Sequence, residues 1–258
     1  MPTHTEVSRL VAASIQTSLA RSPGVRVGPF TALLDPATPN VWRNYAVPDD
    51  GAEPDPDDVA DLVAWFRAHD RVPRLEYVPA AAPAVEDALS RAGFVVEGRP
   101  PLMACRPGEA IEPPQVPGVA VTLVTADGDL LDVAVAQNAA YGEPEPAGPA
   151  DVARLRSTVD GGGVVALARD EGTGEPVGGG VCIAPVDGVS ELAGVGVVES
   201  HRRRGLGSAV TALLARAAHD RGARLVWLEP AGEREAALYE RVGFRPDGQK
   251  LWISLPDA

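Results

Sequence analysis

The chain has 258 residues, 45% of them hydrophobic, and a formal charge of −13 at neutral pH. That much apolar material builds a sizeable core and suits two small units better than one. The acidic balance repels phosphate backbones and excludes general nucleic-acid or anionic-membrane binding. An anionic ligand must therefore be met by a local cluster of basic residues. Cys105 and Cys182 are too far apart for a disulfide framework or a metal-ligand spacing, and read as buried reduced thiols. His4, His69 and His219 form no metal constellation, and no metal is expected. No apolar run approaches the ~18 residues of a membrane span. The first residues lack a basic stretch followed by an apolar one, so no signal peptide is expected and the location reads as cytoplasmic. Lys250 is the single lysine, and the Arg, Ala, Gly and Pro bias points to a high-GC bacterial genome.

The first predicted element is a short amphipathic helix from Thr5 to Leu19, ended by "SPG". Residues 56 to 105 read helix, strand, helix, strand. "RPGEAIEPPQVPG", Arg106 to Gly118, is rich in Pro, Gly and Glu and is the best linker candidate. "VAVTLVT" from Val119 alternates as a strand, and "GDLLDVAVAQNAAY" has apolar residues at helical spacing. After the loop "GEPEPAGP", Pro149 and Asp151 open a second helix. "GGGVVALARD", "EPVGGGVCIAP" and "SELAGVGVV" are three strands joined by turns. A helix runs from Leu206 to His219, "ARLVWLE" is a strand, and "EREAALYERVG" is a helix with Gly243 at its end. "KLWISL" closes the set. The fold class is α/β, in the mixed α+β sense: a mixed sheet with helices on both faces.

An internal repeat underlies this order. "AHDR" at Ala68 returns at Ala218, "RL" at Arg74 returns at Arg224, and "GF" at Gly93 returns at Gly243, each pair 150 positions apart. The expected division is a first domain at 1–105, a linker at 106–118 and a second domain at 119–258. The copies differ where chemistry would sit. "AEPDPD", Ala52 to Asp57, stands where the second copy has "RRRGLG", Arg202 to Gly207, and Leu89 stands in place of Tyr239. Acids and prolines cannot replace an arginine-and-glycine anion site, so the first copy keeps the fold and has lost the site.

"ESHRRRGLGSAV" concentrates positive charge, side-chain-free turns and a helix start at one point. A helix N-terminus presents unpaired N–H groups and the positive end of its dipole. Gly205 and Gly207 let those groups converge on an anion, and Ser208 adds a hydroxyl. The alternative is a basic helix start that merely caps itself. There is no G-x-x-x-x-G-K-[ST], and "GVGVVE" lacks the third glycine of a dinucleotide fingerprint.

"ELAGVGVVESHRRRGLGSAVTALLARAA" resembles the coenzyme A-binding segment of the GNAT superfamily of acyl-CoA-dependent N-acyltransferases. Its pattern, [QR]-x-x-G-x-[GA] after a strand ending V-x-V, is filled by Arg202, Gly205 and Gly207. "ALYERVGF" resembles the family's later L-Y-x-x-x-G-F motif through Leu238, Tyr239, Gly243 and Phe244. The resemblance covers residues 118 to 258 and makes the whole look like a tandem protein with a degenerate GNAT-like N-terminal half. It implies acetyl-CoA as co-substrate. The backbone of Val195, Gly196 and Val197 would pair with pantetheine and hold the thioester carbonyl. Arg202, Arg203, Arg204, Gly205, Leu206, Gly207 and Ser208 would meet the pyrophosphate. Tyr239 would protonate the leaving thiolate; its plainer reading is a core tyrosine. The family often has Asn at the start of this helix, where this chain has "PAGEREA".

An amine attacks only as the free base, so a group must take its proton. Glu191 is the first candidate and Glu229 the second, and each also reads as a solvated strand-end charge. His201 reads as a surface histidine. The segment Asp127 to Thr158 normally shapes the acceptor pocket in this family. Its Tyr141, Glu143, Glu145 and Asp151 favour a cationic amine or are simply solvated. The expected activity is N-acetyl transfer from acetyl-CoA to a primary amine, on a small molecule or peptide, by direct attack in a ternary complex. The rival is a catalytically silent acyl-CoA-binding sensor or interaction module. No nucleic acid or membrane partner is expected.

Overall fold

The computed structural model describes residues 4–19, 24–36, 38–143 and 145–256. They fall into two compact units, Met1–Leu102 with Asp247–Ala258, and Met103–Pro246. The first begins with α1 (His4–Leu19), β1 (Val25–Val27), β2 (Phe30–Ala32) and β3 (Ala46–Pro48). It continues with α2 (Pro56–Ala68), β4 (Arg74–Tyr77), α3 (Val85–Arg91) and β5 (Val95–Gly98). Helix α2 starts where the sequence demands it. The Asp55 carboxylate accepts from the N–H groups of Asp57 and Asp58, Asp58 answers on the Asp55 N–H, and Pro56 fills the first turn. Its buried stripe, Val59, Leu62 and Phe66, faces the core of this unit. Ser22 and Pro23, expected to end α1, lie outside the described residues.

The second unit takes over within β6 (Pro101–Cys105). It holds β7 (Val119–Leu123), α4 (Asp127–Tyr141), α5 (Pro149–Asp160), β8 (Val164–Asp170), β9 (Pro176–Cys182) and β10 (Val189–Val197). Then come α6 (Leu206–Asp220), β11 (Leu225–Leu228), α7 (Glu233–Arg241), β12 (Arg245–Gln249) and, back in the first unit, β13 (Leu251–Ser254). Alternation along β8 feeds two cores. Val164, Ala166 and Ala168 join the cluster built on α6, while Val165 and Leu167 join the one built on α4. Helix α4 thus covers one face of the sheet, and α6 covers the other.

The seven-stranded sheet has the order β12-β6-β11-β10-β9-β8-β7, and the six-stranded sheet β1-β2-β3-β4-β13-β5. The closing strands are exchanged. β6 pairs antiparallel with β11, Leu228 opposite Met103 and Val226 opposite Cys105. β13 pairs antiparallel with β4, Ser254 opposite Arg74 and Leu251 opposite Tyr77. The units are therefore not the contiguous stretches 1–105 and 119–258. The reason is physical: β6 and β13 stand at equivalent places in the repeat, and each is a short apolar strand whose burial satisfies either slot. The stretch expected as a free linker is also bound. Ala110 and Val116 belong to the core of the second unit, and the Ile111 N–H donates to the Val242 carbonyl at 3.3 Å.

The repeat is visible in the elements. α2 and α6 start at 56 and 206, β5 and β12 at 95 and 245, and β6 and β13 at 101 and 251, each pair 150 apart. β5, β13, β4 and β3 hold the places in one sheet that β12, β6, β11 and β10 hold in the other. The pairs β3–β4 and β10–β11 are both parallel. β12 was not foreseen, since "RPDGQ" carries no strand signal.

Candidate active site

Strands β10 and β11 run side by side only from Val189–Leu225 to Glu191–Trp227. Beyond that point β10 continues to Val197 on β9 alone, so its other edge is open. Its path is broken by a bulge. The register passes from Ala193 opposite Val181 to Gly196 opposite Gly179, and Gly194 takes a φ of +62°. The Val198 N–H donates to Val177 of β9. By alternation, the N–H and C=O of Val197 face the open edge. A cleft of about 620 Å³ lies along this edge, lined by β10 from Leu192 to Val197, by the start of α6 and by α7.

At one end of the cleft is the start of α6. Arg203 and Gly205 have φ of +64° and +89°, left-handed conformations of the kind from which anion-binding nests of successive N–H groups are built. Gly205 caps α6 without a side-chain bond, so the first-turn amides have no side-chain cap. Leu206, Gly207 and Ser208 line the cleft with Arg202 and Arg203. The three arginines differ in placement. Arg202 donates through Nε to the Val197 carbonyl and through Nη2 to the Ala140 carbonyl, bracing β10 against the end of α4. Arg204 turns to the Pro117 carbonyl and is not part of the lining. Arg203 is exposed at the cleft.

Helix α7 forms the opposite wall. Arg234, Leu238 and Arg241 recur on one face, and Leu238 reaches to the first turn of α6, where a Cβ on Gly207 would lie 3.1 Å from its Cδ1. Tyr239 lines the same cleft and packs on the α6 core beside Phe244, ring centroids 6.2 Å apart. Burial, with smaller contributions from Tyr141 and Glu235, holds its phenol well above the ordinary tyrosine value, so it stays protonated. Of the two glutamates, Glu229 lines the cleft with its Oε2 buried. Glu191 sits opposite Trp227, where β10 and β11 are still paired, and is not among the lining residues.

Side chains of α4 close the near side. The Tyr141 hydroxyl donates to the Val195 carbonyl at 3.1 Å, and Gln137 Nε2 donates to the Gly194 carbonyl at 2.7 Å. Asp151 is used locally: it accepts from the Gly148 N–H and caps α5. Glu143 and Glu145 are exposed. His201 is more than a surface histidine. Its Nε2 lies 3.0 Å from the Asp170 carboxylate, which this contact and the N–H groups of Thr173 and Gly172 hold at a pKa of about 2. Sequence reasoning missed Gln137, Arg234 and Arg241. The arginines carried a signal in their helical spacing around Leu238; Gln137 showed only as a polar residue among the apolar positions of α4.

Among the described residues, no group of His, Cys, Asp and Glu side chains is arranged to hold a metal, and no helix is long and apolar enough to cross a membrane. The family model for the acetyltransferase (GNAT) family matches residues 130–244. A GCN5-related N-acetyltransferase from Kribbella flavida is 30% identical over 98% of this chain and 96% of its own, with a TM-score of 0.77. Another from Sphaerobacter thermophilus, at 17% identity, covers 98% of this chain and 92% of its own with a TM-score of 0.68. A tandem GNAT protein from the clavulanic acid biosynthesis pathway shares the fold at 15% identity, over 100% and 98% of the two chains, with a TM-score of 0.60. No curated protein matches. The chain belongs to the GNAT family of acetyltransferases.

Proposed function

We propose that this chain moves an acetyl group from acetyl-CoA to a primary amine, on a small molecule or peptide, by direct attack in a ternary complex. One observation carries the reading. The open edge of β10 runs through a single cleft from the uncapped start of α6 to Tyr239. The residues present fit the co-substrate: the left-handed turn at Arg203 and Gly205 and the uncapped start of α6 suit a diphosphate, and the Val197 N–H on the unpaired strand edge suits an amide-bearing arm. Acetyl-CoA supplies the activated thioester. Arg203 and the first-turn amides of α6, from Leu206 to Ser208, hold the phosphates, and Arg202 braces the cleft wall. Tyr239 keeps its proton at neutral pH and passes it to the departing sulfur. Glu229, the glutamate on the cleft wall, takes the proton from the amine, and Glu191, on β10 where it still pairs with β11, is the alternative base.

Isothermal titration with acetyl-CoA, followed by thiol release across a library of amines, tests the reading. Binding with turnover on at least one amine supports it. Binding without turnover, indifferent to Tyr239→Phe, favours the silent acyl-CoA-binding module instead. The "PAGEREA" segment, which lacks the family's asparagine, is the feature on that rival's side.

A further inference from the structure

Gln137 is a buried polar residue in the apolar face of α4, 6% exposed, between Ala134 and the strand it covers. Its Nε2 donates to the Gly194 carbonyl at 2.7 Å. Gly194 and Val195 are the residues skipped by the β9–β10 register. The described chain has no cis peptide bonds. In a trans peptide the C=O of one residue and the N–H of the next point in opposite directions. Fixing the Gly194 carbonyl toward α4 therefore aims the Val195 N–H at the other face. That face carries α6 and α7, with Tyr239 packed on it. Val195 lines the cleft, whereas Gln137 does not.

We propose that Gln137 is a positioning residue for acyl transfer. By holding the bulge carbonyl, it orients the Val195 N–H so that this amide donates to the carbonyl oxygen of the bound thioester. Tyr141 assists on the next peptide by occupying the Val195 carbonyl. The bulge then presents a donor, and no competing acceptor, to the oxygen on which negative charge grows. Glycine at this position gives the amide room: a Cβ on Gly194, at φ +62°, would lie 2.6 Å from Gln137 Nε2. The inference rests on the proposed acetyl-CoA site.

Isotope-edited infrared spectroscopy of carbonyl-labelled acetyl-CoA bound to the full chain reads the effect without any acceptor. In the wild type, the thioester carbonyl band moves to lower frequency than in solution. Gln137→Met has similar volume and no donor. It loses most of that displacement while acetyl-CoA affinity stays within about threefold, and turnover falls on the order of tenfold or more. Gln137→Glu keeps the shape and donates only when protonated, so the displacement returns at low pH and vanishes at high pH; it also serves if Gln137→Met does not fold. An undisplaced band in the wild type, or a band unchanged in the variants, overturns the proposal. Failure of the wild type to bind acetyl-CoA at all, measured first by titration, overturns the site reading itself and this inference with it.

Discussion

Asp55 and Gly205 stand at the same place in two copies of one repeat, and each caps a helix in the opposite sense. The Asp55 carboxylate accepts from the N–H groups of Asp57 and Asp58, both at 2.9 Å. Gly205 leaves the equivalent first turn of α6 without a side-chain cap. One helix start is capped by its own chain, and the other has no side-chain cap and is where the proposed function seats an anion. The structure adds a second closure. Side chains of α1, among them Ile15 and Gln16, line a small apolar space beside β3 and Tyr77, and Gln16 donates to the Pro48 carbonyl. Titration is therefore expected to give one acetyl-CoA per chain. Asp55→Ala should cost about 1 kcal/mol of stability and create no second site. Gly205→Glu should abolish acetyl-CoA binding with the melting transition retained, because a carboxylate and a side chain then occupy the anion's place. Two equivalents bound to the wild type would contradict this account.

Tyr239→Phe keeps the ring on the α6 core and removes the proton. Turnover should fall by roughly 100-fold or more, while acetyl-CoA affinity changes little. Burial raises the phenol above its ordinary value, so no loss of activity assignable to Tyr239 should appear as pH rises through the usual tyrosine range. A descending limb near pH 10 that disappears in Tyr239→Phe would place its titration lower than the buried site requires.

The exchanged strands make the halves interdependent. A fragment starting at residue 116 lacks β6, which lies between β11 and β12 in the seven-stranded sheet, and retains β13 without the strands it pairs with. Such a fragment should be insoluble or lack a cooperative melt. Near-UV circular dichroism and a thermal scan check this; a cooperative, acetyl-CoA-binding fragment would show that β13 can return to the vacated slot.

Burial pushes both thiols, Cys105 and Cys182, from an ordinary value of 9.0 up to about 12. Neither should react with iodoacetamide at pH 8 in the folded protein, and both should react in denaturant. The linkage has a definite sign. A folded-state value raised above the unfolded one stabilises fully below pH 9, and that contribution is lost as pH climbs toward 12. Unfolding midpoints in urea should fall between pH 9 and 11, with a shallower slope in Cys182→Ala.

Much was legible in the sequence because it was local. The Arg202-Gly205-Gly207 spacing, the Leu238-Tyr239 helix and the alternation of β8 each depend on a few neighbouring residues and on helix or strand periodicity. The repeat of 150 positions also needs only the chain. Sequence alone thus determined the family, the mixed sheet, the glycine-rich turn before α6 and the tyrosine on α7.

Tertiary structure decided what depends on pairing across the chain. Whether β6 or β13 fills a given slot is invisible locally, because both are short apolar strands at equivalent positions of the repeat. Which glutamate reaches the cleft follows from where β10 and β11 part, after Glu191 and Trp227, and no residue pattern records that divergence. Gln137 has no helical signal of its own. Its role exists only because α4 lies over a bulge 57 residues further along the chain, where a peptide carbonyl needs a donor.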